Sequence, residues 1–151
     1  MGARVGVLLR DGYQELEFWY PLLRLREEGI DVTVIGTDDR TYHSRLGYPV
    51  IPDVTLAAAP DGLDAVIVPG ASMRGSIDAG TCSFVKRAHE QGAIVAATSE
   101  GPRVLVQSGI AAAGDSASRG VSIEGTVITA GDADDLPEFF RALNAALTGK
   151  A

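Results

Sequence analysis

The segment Thr98-Ser99-Glu100-Gly101-Pro102 places a hydroxyl and a carboxylate side by side at a point where the chain pattern changes. An apolar run from Ala93 to Ala97 leads into it, and a helix-like pattern follows at once. A sharp turn from a buried strand into a helix is typical of a nucleophile elbow, which projects one side chain into a cleft. The alternative is an ordinary connection in which the serine or threonine only caps the helix. Ser99 and Glu100 are therefore the first candidates for a chemical role.

Two further charged side chains are candidates for the same site. Glu17 lies in the segment 14–28, whose apolar residues recur at helical spacing. A glutamate there is either a site carboxylate, able to act as a general acid or base, or a solvated surface group. Gln14 and Glu15 are neighbouring alternatives for that role. Arg74 follows the end of an apolar strand-like run, and it either holds an anionic part of a substrate or lies on the surface.

Composition and charge argue against several classes of function. The net charge of −7, with no cluster of lysine or arginine, disfavours nucleic acid and anionic membrane surfaces as partners. The single cysteine, Cys82, forms no internal disulfide framework or cysteine-rich zinc site, and His43 and His89 lie far apart in the sequence. No GxGxxG or Walker pattern indicates a nucleotide site. We expect no metal, no cofactor, a small-molecule ligand and, since no export signal precedes the first strand-like run, a cytoplasmic location.

Alternating strand and helix patterns predict an α/β fold. Short apolar runs bounded by turn residues are typical of strands buried on both faces of a parallel sheet. The predicted strands are residues 5–9, 31–35, 65–68 and 93–97, with a hairpin at 121–129 and a small sheet-edge hairpin from 41–43 and 48–51. The predicted helices are residues 14–28, 81–91, 101–108 and 136–147. We expect residues 1–151 to form one domain with a mostly parallel sheet covered by helices on both faces.

A set of short motifs, none decisive alone, lies in a characteristic order along the chain. They are Asp11-Gly12-Tyr13-Gln14-Glu15-Leu16-Glu17 with Pro21, Leu25-Arg26-Glu27-Glu28-Gly29, Leu46-Gly47-Tyr48, Asp53-Val54-Thr55-Leu56, Asp64-Ala65-Val66-Ile67-Val68-Pro69-Gly70, Ala96 to Pro102, and Gln107-Ser108-Gly109. In this order they resemble the ThiJ/PfpI superfamily, collinearly from residue 4 to about residue 110, and the last helix fits again.

The resemblance implies a flavodoxin-like three-layer α/β sandwich. Members of this family carry a reactive cysteine at the elbow, a glutamate from the first helix that contacts it, and backbone amides that bind an anion. By position, the cysteine corresponds to Ser99, the histidine that follows it to Glu100, and the helix glutamate to Glu17. The amides correspond to those of Gly70 and Ala71. The resemblance also implies a strained backbone with positive φ at Ser99.

The departures from the family pattern concern the chemistry itself. A serine hydroxyl lacks the reactivity of a low-pKa thiolate, so cysteine-dependent peptidase or deglycase activity is not expected. The segment between the elbow helix and the last hairpin is shorter than in the family. An arginine common before the last helix is replaced by Ala130-Gly131-Asp132.

Three functions remain open at this point. The first is an enzyme that acts on a small molecule, with Glu17 and Glu100 as general acid and base around Ser99. Paired carboxylates perform hydration, lyase or isomerase chemistry without a covalent intermediate. The second is a protein that kept the cleft for ligand binding or assembly and lost the chemistry. The third, less favoured, is an acyl-transfer hydrolase that uses Ser99 as its nucleophile.

The aromatic residues of the first helix also indicate that subunits assemble. Phe18, Trp19 and Tyr20 are consecutive, and together they carry more apolar surface than one sheet face usually covers. The resemblance implies dimers or larger assemblies as well. We therefore expect a homodimer or a multiple of it.

Overall fold

The protein is described by a computed structural model that covers residues 2–71, 77–99, 101–110 and 120–150. Two predicted site residues, Arg74 and Glu100, lie outside these ranges, as does most of the segment before the last hairpin. The strands are β1 (Arg4–Leu9), β2 (Asp31–Gly36), β3 (Tyr42–His43), β4 (Pro49–Val50), β5 (Val54–Thr55), β6 (Ala65–Val68), β7 (Ile94–Thr98), β8 (Val121–Glu124) and β9 (Val127–Ala130). The helices are α1 (Glu15–Glu27), α2 (Ala79–Glu90), α3 (Pro102–Gln107) and α4 (Leu136–Lys150), with short 3₁₀ turns at Leu56–Ala58 and Ala133–Asp135. None of the helices in these ranges is long and apolar enough to cross a lipid bilayer.

Seven strands form one sheet in the order β5-β2-β1-β6-β7-β9-β8. Neighbouring strands are parallel except for β8, which runs antiparallel to β9. The chain fills the sheet from β1 outward to β2 and β5, then returns to β6 and continues to β7 and β9. In such sheets ligands bind beyond the carboxyl ends of the strands, where the direction of winding reverses, here between β1 and β6. The predicted flavodoxin-like, mostly parallel α/β sandwich is confirmed.

Helices cover both faces of this sheet, as the alternation of side chains along each strand requires. In β7, Ile94 and Ala96 pack with α1 and α4 on one face. Val95 and Ala97 pack with α2 and α3 on the other. Both faces are apolar because a central parallel strand has no face exposed to water.

The small hairpin is where the fold departs from the prediction. β3 and β4 pair only with each other, as a separate two-stranded sheet, and β5 takes the edge of the main sheet beside β2. The hairpin instead binds the connection between β1 and α1. The Gly12 N–H donates to the His43 carbonyl at 2.8 Å, and the Arg45 N–H donates to the Tyr13 carbonyl at 3.0 Å. The hairpin therefore lies over the carboxyl end of β1.

The apolar surface of α1 is also distributed differently from the prediction. Phe18 is fully buried in the core, and Trp19 and Tyr20 pack against it half-buried. The large apolar side chains that α1 exposes are Leu16 and Leu23, each more than half accessible. They are seven residues apart, about two helical turns, and so lie on one face.

Candidate active site

The first turn of α1 is attached to the end of β6, and this determines where Glu17 lies. The Gln14 side chain caps the helix by accepting the Glu17 N–H at 2.8 Å. The Gln14 N–H donates to the Gly70 carbonyl at 2.9 Å. Together these bonds hold Glu17 beneath the strand ends, where it is only 2% exposed.

Three donors from two strand ends surround the Glu17 carboxylate. Oε1 accepts the Gly70 N–H at 3.0 Å and the Thr98 hydroxyl at 2.7 Å. Oε2 accepts the Ser99 hydroxyl at 2.7 Å. Burying a carboxylate without such partners would cost several kcal/mol. The solvated-surface alternative for Glu17 is therefore wrong.

The backbone at Ser99 has the conformation of an elbow. Its φ is +47°, and it is the one non-glycine residue of the described ranges with a positive φ. Hydrogen bonds hold the turn on both sides. The Ser99 N–H donates to the Ala130 carbonyl at 3.0 Å, and the Gly101 N–H donates to the Thr98 carbonyl at 2.7 Å. The strained conformation predicted for Ser99 is confirmed.

This strain predicts a measurable difference between two variants that both lose the hydroxyl. We expect Ser99→Gly to be more stable than Ser99→Ala by about 1 kcal/mol, because only the alanine keeps the Cβ that disfavours the left-handed region. The measurement is the free energy of unfolding in urea for both proteins. An alanine variant as stable as the glycine variant, or more so, would show that the elbow is unstrained.

The structure brings together some of the predicted site residues and changes the task of one. Ser99, Glu17 and Gly70 meet directly. The Gly70 amide, predicted to bind an anionic substrate group, is directed at Glu17 and holds this carboxylate. Ala71 is buried beside it, and its amide remains a predicted substrate contact. Thr98 was not a site candidate from the sequence, where a threonine beside the elbow suggests no more than a helix cap.

Gln14 and Glu15, the neighbouring alternatives to Glu17, have structural tasks. Gln14 caps α1, and the Glu15 carboxylate accepts the Leu46 N–H at 2.9 Å, which ties the hairpin to the helix. Partial desolvation alone would raise the pKa of Glu15. The hydrogen bonds from Ser44 and Leu46 outweigh it and hold this pKa below its ordinary value.

Two arginines that the sequence did not single out lie against the strand end beside the site. Arg10, which follows β1, donates from Nη2 to the Pro69 carbonyl at 2.9 Å. Arg45 of the hairpin donates from Nη2 to the Ala71 carbonyl at 3.4 Å. Both guanidinium groups therefore place positive charge next to Gly70, in a chain whose net charge is −7.

The chemistry available to this cluster is proton transfer. The Ser99 hydroxyl lies 2.7 Å from Glu17 Oε2 and 3.4 Å from the Gly131 carbonyl, so the carboxylate is the nearer acceptor. Among the residues that the structure describes, no group of three or more His, Cys, Asp and Glu side chains is arranged to hold a metal ion. In the described part of the site, the Ser99 hydroxyl and the Glu17 carboxylate are therefore placed to exchange a proton.

A model of the DJ-1/PfpI family matches residues 3–146. The chain belongs to the DJ-1/PfpI family. This is the family, also called ThiJ/PfpI, that the ordered motifs resemble. By the resemblance to this family, Ser99 lies at the position of the reactive elbow cysteine, and Glu17 lies at the position of the glutamate from the first helix.

Relatives within the DJ-1/PfpI family differ in how much of this chain they match. A protein of Thermococcus kodakarensis named a deglycase is 37% identical over 68 residues, which are 44% of this chain and 41% of the relative. The chain thus matches only about two fifths of the length of the curated relatives.

Solved structures of DJ-1/PfpI proteins match nearly the whole chain. The mutant of a DJ-1 superfamily protein from Salmonella typhimurium is 27% identical, with a TM-score of 0.83 over 97% of this chain and 91% of that one. Drosophila melanogaster DJ-1beta, at 24% identity, has a TM-score of 0.85 over 99% of this chain and 92% of that one. The latter similarity is one of fold alone.

Proposed function

We propose that this chain is an enzyme that acts on a small molecule by acid–base chemistry, with Glu17 exchanging a proton at Ser99. The observation that carries the proposal is the 2.7 Å hydrogen bond from the Ser99 hydroxyl to Glu17 Oε2, at a backbone with φ of +47°. A strained backbone and a buried carboxylate both lower the stability of the fold. Such features are found most often at functional sites. Membership of the DJ-1/PfpI family and a relative named a deglycase support an enzyme. We take residues 1–151 as one domain that carries this site.

The proposed mechanism moves one proton through Ser99. As a bound substrate gives a proton to Ser99 Oγ, the hydroxyl passes its own proton to Glu17 Oε2, and the reverse movement returns a proton elsewhere on the substrate. We assign Glu100, next in the chain, as the second acid–base group. The Ala71 amide and Arg74 are assigned to an anionic part of the substrate. Hydration, elimination and isomerisation need no more than such transfers.

The same hydrogen bond favours a second candidate, acyl transfer. A serine becomes a nucleophile when a neighbouring base takes its proton. Ser99 Oγ would attack a carbonyl carbon while its proton moves to Glu17 Oε2. The leaving group would depart with that proton, and water would then hydrolyse the ester on Ser99.

An experiment in heavy water separates these candidates. Proton NMR follows a panel of small dicarbonyl, hydroxycarbonyl and ester compounds with the wild type and with Ser99→Ala. Acid–base chemistry predicts deuterium exchange or conversion that Ser99→Ala retains in part, because water can replace the relaying hydroxyl. Acyl transfer predicts complete loss in the variant and, in the wild type, an ester adduct on Ser99 by mass spectrometry. If no compound is converted or exchanged, the non-catalytic ligand-binding alternative takes the place of both.

The missing thiol leads to a negative prediction for two cysteine-dependent activities, one of which, deglycation, gives the relative its name. We expect hydration of methylglyoxal and deglycation by the wild type to be absent or very weak, because the hydroxyl is a far poorer nucleophile than a thiolate. Lactate formation from methylglyoxal measures the first of these. Robust turnover that Ser99→Ala abolishes would show that a serine performs the cysteine chemistry here.

We also propose a cytoplasmic homodimer, formed through one apolar surface of α1 and the hairpin. Leu16 and Leu23 expose this surface on the helix, and the Trp19 ring contacts the exposed Tyr48 of the hairpin at 6.2 Å between centroids. An exposed apolar face of this kind is typical of an interaction site.

Light scattering at micromolar concentration tests the dimer. The expected mass is twice that of the chain, and Leu23→Glu should halve it by burying a charge in the contact. Ile123→Glu, at an exposed apolar position of β8, is the matched control and should leave the mass doubled. A monomeric wild type would contradict the proposal.

A further inference from the structure

We propose that Thr98 is a positioning residue whose hydroxyl directs the Glu17 carboxylate at the group on position 99. The inference deepens the proposed function and rests on it. Thr98 is fully buried, and its Oγ1 lies 2.7 Å from Glu17 Oε1. It contacts Oε1, whereas Ser99 contacts Oε2, and it is not exposed, so it acts through Glu17 and not on a substrate.

The alternation of side chains along β7 explains why Thr98 meets Glu17. Ile94 and Ala96 lie on the face covered by α1 and α4. Thr98, two residues further on, lies on that same face, toward the helix that carries Glu17. Valine would have the same shape and would form a strand as readily. A buried hydroxyl, in contrast, is costly without a partner, and here its partner is the carboxylate.

The hydrogen bonds give the two carboxylate oxygens different tasks. The Gly70 N–H can only donate, and with the Thr98 hydroxyl it occupies Oε1. A proton taken up by the carboxylate therefore belongs on Oε2, which faces Ser99. In each transfer the Ser99 O–H bond breaks as an O–H bond at Oε2 forms. Thr98 thus selects the oxygen that exchanges protons.

Ser99→Cys, in a Cys82→Ala background, introduces a thiol at this position, and its ionisation can be measured without any substrate. The ultraviolet absorbance of the thiolate, followed against pH, gives the midpoint of this ionisation. We expect Thr98→Val to shift this midpoint by about one pH unit, because the hydroxyl that it removes sets how strongly the Glu17 carboxylate attracts the proton of the neighbouring thiol. Thr98→Ser keeps the hydroxyl and should restore the midpoint to within about 0.3 pH units.

The matched control is Thr129→Val on β9, whose side chain lies on the opposite face of the sheet from Ile128 and Ala130, and it should leave the midpoint unchanged. Should Thr98→Val not fold, Thr98→Ala removes the same hydroxyl. An unchanged midpoint on loss of the hydroxyl, or a Thr98→Ser shift as large as that of valine, would overturn the proposal. Because the absorbance needs no turnover, failure to find a substrate would count against the proposed function and leave the result for Thr98 standing.

Discussion

Gly101→Ala is expected to destabilise the protein by about 3 kcal/mol, a large effect for one added methyl group. A Cβ on Gly101 would lie 2.3 Å from the Val68 carbonyl oxygen and 2.8 Å from that of Thr98. Both oxygens belong to the backbone of the central strands β6 and β7, which the sheet holds in place, so neither can move aside as a side chain would. For a chain of this size the melting temperature should fall by about 10 °C.

Gly149→Ala is the matched control for this substitution. Gly149 lies in α4 with nothing within 4 Å of an added Cβ, so alanine there should be neutral or stabilise the helix by up to about 1 kcal/mol. Calorimetry of both variants against the wild type makes the comparison. A Gly101→Ala protein that melts within a degree or two of the wild type would mean that the elbow does not pack against β6 as described.

The strands of this fold could be predicted from the sequence because each central strand is a continuous apolar run. β6 and β7 are buried along their whole length, and few other elements share that pattern. The hairpin was placed wrongly because its position depends on hydrogen bonds between segments about thirty residues apart. The contacts of Gly12 with His43 and of Tyr13 with Arg45 have no signal in local propensity.

The candidate site was predictable only in part, and for a related reason. The family resemblance located Ser99 and Glu17, and the positive φ followed from the elbow. The task of Gly70 could not be foreseen, because it depends on a buried carboxylate that takes the amide hydrogen. Thr98 was missed because the apolar pattern of β7 ends at Ala97, and its importance comes from the neighbour that α1 brings to it.

Glu17→Gln is expected to lower the rate of proton exchange by about 10²- to 10⁴-fold, the usual contribution of a general acid–base group. Glutamine preserves the shape of the side chain. Its carbonyl oxygen can accept from Gly70 and Thr98, while its NH₂ group can donate to Ser99 but cannot take up the proton. The variant should therefore fold, and its lower rate of proton exchange should come from a slower chemical step.

Glu27→Gln supplies the control on the same helix. Glu27 is exposed and pairs with Arg24 at the surface, where such pairs contribute little to stability. Its variant should exchange protons at the wild-type rate.

The most direct test of the Glu17–Ser99 site is the deuterium exchange rate of one responsive compound from the panel, measured by proton NMR in the wild type, Glu17→Gln and Glu27→Gln. We predict exchange by the wild type and Glu27→Gln at equal rates, and a rate at least about 10²-fold lower for Glu17→Gln. Exchange by Glu17→Gln at the wild-type rate, or no exchange of any compound by the wild type, would contradict an acid–base role for Glu17.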